Sequence, residues 1–205
     1  MERPAAGKRA LALLFAMARD GETPVSLLTA GQTPEAYHHY PPGDVYDFAS
    51  HSQFYFHAHR DGEAGHLHVF VRPRGMPPGL VPLVPTDSPD APCHLIAIGF
   101  DGGDEAVELF TTNRWVTGEA WYPAAAVKAM VAGFRISARG RLQPVAAWLE
   151  AMIAFYAPTI EDLLDRRDAT VAEWRQSHAL GDPLDDGGLE ITSRCAIDLA
   201  ADAAR

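Results

Sequence analysis

Cysteine is scarce in this 205-residue chain: Cys93 and Cys195 are the only two, far apart in sequence. Their number and spacing argue against a thiolate zinc ribbon, which needs Cys-x-x-Cys pairs, and against a disulfide-stapled secreted scaffold. Positive charge is also sparse, with 17 Lys and Arg against 27 Asp and Glu and a formal net charge of −10. A nucleic-acid partner, which calls for a basic face, is therefore not expected. No apolar run approaches the ~20 residues that span a bilayer, so no membrane partner is expected either. Lys8 and Arg9 before the apolar run 10–18 have a signal-peptide-like arrangement. We read the run instead as a short buried helix stopped near Gly21, in a cytoplasmic protein. The 47% hydrophobic and 21% charged content is that of an ordinary globular domain, and the length suits a single domain over 1–205.

Histidine is where the chain is distinctive. His57-Ala58-His59 and His66-Leu67-His68 are two His-x-His units separated by residues 60–65. Alternation along a strand puts both histidines of each unit on one face. If 60–65 folds the chain back, His59 faces His66 and His57 faces His68, and four imidazoles share one patch. The opposite face holds Phe54, Phe56, Ala58, Leu67, Val69 and Val71, as expected of a sheet face packed on a core. A slip of one residue would drive every histidine into that core, so the pattern constrains register.

Neutral imidazole is a common ligand for Fe, Zn, Cu and Ni. The expected site is a mononuclear divalent transition metal drawn from His57, His59, His66, His68 and His94, with Mn added to the candidates if a carboxylate joins. Three ligands and one open position make a catalytic centre, and the spare histidines then orient ligands or carry protons. Glu63 in the connection, or Glu108 on a later strand, could complete a mixed set. Glu63 and Tyr55 are the candidate catalytic groups, and Arg72 and Arg74 the candidate anchors for an anionic substrate group. The basic group Arg135, Arg139 and Arg141 reads as solvated surface. A plain structural row of histidines is the rival reading, weakened because four clustered rings would repel once protonated near pH ~6.5.

Four motifs are similar to fragments of known families, each failing at a defining position. His57-x-His59-x-x-x-Glu63 resembles the first cupin motif without its flanking glycines. Residues 53–59 with Leu67-His68-Val69 look like the zinc strands of α-type carbonic anhydrases. His57-Ala58-His59-Arg60-Asp61 resembles the metallo-β-lactamase motif with Gly62 in place of its next histidine. Residues 66–71 resemble the histidine-triad phosphohydrolase motif with Phe70 in place of its third histidine. The cupin-like spacing implies oxygenase-type chemistry on a small molecule. A non-catalytic metal carrier and a metal-free phosphohydrolase using His68 as nucleophile are the alternatives.

The rest of the chain reads as α+β: a central antiparallel sheet of five or six strands, short N-terminal helices and three C-terminal helices. The segment 1–50 is expected to be helical and irregular, with turns of helix after Thr23-Pro24 (25–29) and Thr33-Pro34 (35–39), and a break at 41–44. The sheet is expected over 52–122, with strands at 94–100, 106–112 and 115–121. The loop 73–93, with seven prolines, reads as a lid over the histidines or, equally, as a plain surface excursion. Helices are expected over 123–180, opening at Pro123, Pro144 and Thr159, and 181–205 is a tail with an edge strand at 189–197.

Overall fold

The computed structural model describes residues 2–59 and 64–205. It is an α+β fold whose six strands form one antiparallel sheet in sequence order. The strands are β1 (Tyr40–Tyr46), β2 (Ser52–His57), β3 (His66–Val71), β4 (Cys93–Phe100), β5 (Ala106–Thr112) and β6 (Ile191–Ala196). The helices are α1 (Arg3–Arg19), α2 (Pro24–Thr29), α3 (Arg114–Thr117), α4 (Ala124–Gly133), α5 (Gln143–Phe155), α6 (Ala157–Ser177) and α7 (Leu199–Ala203). Among the described residues no helix is long and apolar enough to cross a membrane.

Local chemistry explains the helix ends. Thr23 caps α2 by accepting the Ser26 N–H, while Ser26 reciprocates to the Thr23 N–H, and Pro24 takes the first turn, where its missing donor costs nothing. α1 lies against α5 at Gly7, where a Cβ would sit 2.8 Å from the Phe155 ring. Only a residue without a side chain permits that approach.

One sheet face carries Phe54, Phe56, Leu67, Val69 and Ile98, all at most 1% exposed, and joins Val127, Leu149, Met152 and Leu163 of the helices in one core. Full burial of such a side chain is worth about 1.5–3 kcal/mol, so this face dominates the stability of the sheet. The second face carries Gln53, Tyr55, His57, His66, His68, Phe70, His94 and Phe110, as the strand register places them.

The structure departs from the sequence expectations in three places. Residues 35–39 form no helix: Tyr37 has φ 62°, Ala36 bridges to Ala58, and the Tyr37 N–H donates to the Ala58 carbonyl. The Pro41–Asp44 stretch then lies inside β1, tolerated because β1 is an edge strand whose register shifts between Tyr40 and Val45. Residues 115–121 are not a strand; the Asn113 side chain accepts the Arg114 N–H and starts α3, and Gly118 in the left-handed region ends it. The proline-rich loop is tied to that region: the Leu83 and Val84 N–H groups donate to the Trp121 carbonyl, and the Ala120 N–H to the Pro92 carbonyl.

Candidate metal centre

The second face owes its histidines to β2 and β3, and their register differs from the expected one. His57 pairs with His66 and Tyr55 with His68, whereas His59 lies beyond the end of the ladder. The shift is two residues, so the rings keep their face while changing partners. Its cause is local. Ala58 is diverted to pair with Ala36 on the other side of β2, and Gly65 crosses close to β2 instead. A Cβ on Gly65 would lie 2.3 Å from the His57 carbonyl oxygen and 2.4 Å from the Phe56 ring. Glycine at 65 is thus what lets His66 sit opposite His57.

Three rings converge. His57, His66 and His68 each offer a nitrogen, and these three atoms lie within 4.8 Å of one another. His57 Nε2 and His66 Nε2 are 2.7 Å apart, and the ring centroids of His66 and His68 are 4.7 Å apart. Two nitrogens bound to one tetrahedral cation at ~2.0–2.1 Å stand about 3.3 Å apart, inside the range this group spans. The group can therefore close on a divalent cation by small side-chain movements. Between neutral rings, the His57–His66 contact is a hydrogen bond in which one Nε2 carries the proton. Cation binding would move that proton to Nδ1 of the same ring, leaving the lone pair free.

The electrostatics favour ligation. Burial, reinforced by the neighbouring imidazoles, lowers the pKa of His57 to about 4 and of His66 to about 3. Burial does the same to His68, holding it well below the ordinary range. Each ring is neutral at pH 7 and so has one nitrogen lone pair to offer, the form a metal requires. His68 is 0% exposed, and among the described residues its Nε2 has no hydrogen-bond partner. Such a buried, unsatisfied ring nitrogen costs about 1–3 kcal/mol, which a bound cation would relieve.

The other candidates take different places. His59 is a flanking fourth ring, with centroids 5.1 Å from both His57 and His66, and its Nδ1 lies 3.9 Å from Glu190 Oε1. His94 stands outside the group, behind His68: its Nε2 is 3.0 Å from His68 Nδ1 and its Nδ1 3.4 Å from Thr112 Oγ1. Tyr55 is central, 5.4 Å from the His68 ring and stacked on His39 at 3.7 Å. Burial, with help from Asp44 and Glu119, raises its pKa, so it keeps its proton and has an O–H to donate in a hydrogen bond. Glu63 lies outside the described residues. Glu108 is aligned across Gly99 from His66, but its carboxylate pairs with Arg194 at 2.7 Å.

Arg72 Nε donates to Gln53 Oε1 at 2.7 Å and its guanidinium pairs with Asp90 at 2.9 Å. It walls a cavity of about 510 Å3 with His39, Asp44, Tyr46, Gln53 and Asp90. Arg74 is exposed in a short 3-10 turn at Pro73–Gly75. His39 connects this cavity to the three-histidine group, since its ring is 5.8 Å from that of His57.

Sequence reasoning takes His39, with His38, as an exposed loop pair that could cover the patch and Gly65 as a loop glycine, and it passes over Thr112 and Glu190. Gly65 had a visible signal, a glycine directly before the second His-x-His, although it reads equally as a loop residue. Thr112 and Glu190 carry no local signal, because only the pairing of β4, β5 and β6 brings them to this face.

Among known proteins, residues 4–197 match the family DUF6969, described as a domain of unknown function. No curated protein and no solved structure matches the chain.

Proposed function

The chain belongs to the DUF6969 family, whose description assigns no activity, and from its site we propose a metal-dependent enzyme acting on a small molecule. The observation that carries this reading is the convergence of three neutral imidazoles, one with a buried and unpartnered nitrogen. His57, His66 and His68 hold the cation, which supplies Lewis acidity or, if it is iron, oxygen activation. Three ligands leave a position for substrate or water, as catalytic sites of this type do. Tyr55 serves as the nearby hydrogen-bond donor that orients a substrate, and the cavity walled by Arg72 and His39 is the room beside the site for that substrate. An all-imidazole set suits Zn, Cu, Fe or Ni; Mn prefers a carboxylate, which Glu63 would have to bring. The acidic chain acts without nucleic acid or membrane, in the cytoplasm.

A closed, non-catalytic site is the second reading, favoured by one observation: His59 lies 5.1 Å in ring separation from two of the three rings. A metal-free nucleophilic role for His68 fits poorly with a ring that is 0% exposed. The test is metal analysis of protein purified without immobilised nickel, followed by chelation and reconstitution with Zn2+, Cu2+, Fe2+, Ni2+ and Mn2+. One equivalent of cation, lost together from His57→Ala, His66→Ala and His68→Ala, supports the proposal. Folded protein that takes up none of these cations overturns it. A Co2+ spectrum separates an open three-histidine site from one closed by His59, because His59→Ala would change only the latter.

A further inference from the structure

We infer that His94 is a positioning residue, which fixes the tautomer of His68 and aims its Nε2 at the cation; this inference rests on the metal reading above. His68 has two ring nitrogens and, when neutral, one proton. Nδ1 faces His94 Nε2 at 3.0 Å, while Nε2 is buried without a partner among the described residues. If the proton were on Nε2, it would be a buried orphaned donor, a rarer and costlier state than an idle lone pair. The proton therefore belongs on Nδ1, donated to His94 Nε2, and the lone pair on Nε2 faces the other two rings.

That assignment propagates. His94 accepts at Nε2, so its own proton is on Nδ1, where Thr112 Oγ1 stands at 3.4 Å as acceptor and the Ile96 backbone carbonyl also draws a ring N–H. The ring is held in place as well. It is 3% exposed, packs 5.2 Å from the Phe70 ring, and its backbone N–H donates to the buried Glu119 carboxylate at 2.7 Å. The register shift between Val69 and Phe70 puts His94 opposite Phe70 and so beside His68. The result is a line from His68 through His94 to Thr112 in which each group dictates the proton position of the one before. Metal-bound histidines commonly owe their orientation and basicity to such a partner.

Two measurements test this. In the first, Zn2+ affinity is compared between the wild type, His94→Phe and His94→Gln. His94→Phe removes the acceptor and is expected to weaken binding about 10–100-fold, while His94→Gln, whose side-chain carbonyl can accept from His68, restores most of it. Wild-type affinity in a folded His94→Phe protein overturns the inference, as does a Co2+ spectrum of the wild type that requires His94 as a ligand. The second measurement needs no cation: long-range 15N–1H spectra of the cation-free wild type should show His68 protonated on Nδ1, and Thr112→Val should leave that assignment while weakening Zn2+ binding less than His94→Phe does. A His68 proton on Nε2 overturns the inference. If the wild type binds no cation yet His68 is the Nδ1–H tautomer, the metal reading fails and with it the aiming role of His94, while the tautomer assignment of His68 stands.

Discussion

The two faces of the β2–β3 hairpin are buried to a similar degree but by opposite chemistry. Phe54, Phe56, Leu67 and Val69 are at most 1% exposed on one side, and His57 and His68 are 9% and 0% exposed on the other. The first face gains free energy from leaving water. The second places polar rings where only their neutral forms are tolerated and leaves one nitrogen unmatched. Burial on the apolar face builds the fold, whereas burial on the histidine face prepares a ligand set.

Mutating neighbours on either face separates those roles. Leu67→Ala is expected to cost about 2–5 kcal/mol in denaturant unfolding while leaving cation stoichiometry unchanged in the folded protein. Its neighbour variant His66→Ala should do the reverse. In the wild type, a cation at 1,000 times its Kd adds about 4 kcal/mol, or roughly 2–4 °C of Tm per kcal/mol for a chain of this size. That shift, read by thermal melts, is expected to vanish in His66→Ala.

Acid exposes the same contrast. His57, His66 and His94 have pKa values near 4, 3 and 3 when folded, below the ~6.5 of an unfolded histidine. The unfolded chain then binds more protons, so this stabilisation is complete above pH ~6.5 and is lost as pH falls towards 4 and 3. Glu119 works in the opposite direction. Burial outweighs its neighbour Arg167 and raises its pKa to about 7 from 4.5, so its contribution fades as pH rises between those values. Unfolding of cation-free protein followed from pH 7.5 to 4.5 should therefore lose stability less steeply in His57→Gln, and more steeply in Glu119→Gln, than in the wild type. Equal slopes in all three would contradict these assignments.

The smallest effect is expected at Arg72. Its pair with the half-exposed Asp90 is partly screened, so Arg72→Met should change stability by no more than about 1 kcal/mol and leave the Zn2+ affinity as it was. A large loss of Zn2+ binding would show that the cavity and the three-histidine group act as one unit.

The histidine face was legible in the chain because alternation is a local property: polar and apolar residues change places at every step from Phe54 to His59 and from His66 to Val69. The pairing of individual histidines was not, because it depends on whether Ala58 bonds across to β3 or back to Ala36, a choice made by residues far upstream. Even so, a two-residue shift preserves faces, which is why the rings still converge. Helices α4, α5 and α6 and the edge strand β6 lie where proline, threonine and glycine signals put them. Residues 35–39 and 115–121 differ because Tyr37 adopts a positive φ and the Asn113 side chain caps a helix, both decided by surroundings that propensity does not see. His94 was legible as a candidate, but its place behind His68 depends on the β3–β4 register.

The three converging rings all come from the short stretch between His57 and His68, joined by a single hairpin connection. Closing so small a loop costs little chain entropy. The ligand set can thus be brought together early, before β6, more than a hundred residues downstream, docks at the far edge of the sheet. If the site holds a cation as proposed, that cation could bind the hairpin before the rest of the sheet has assembled.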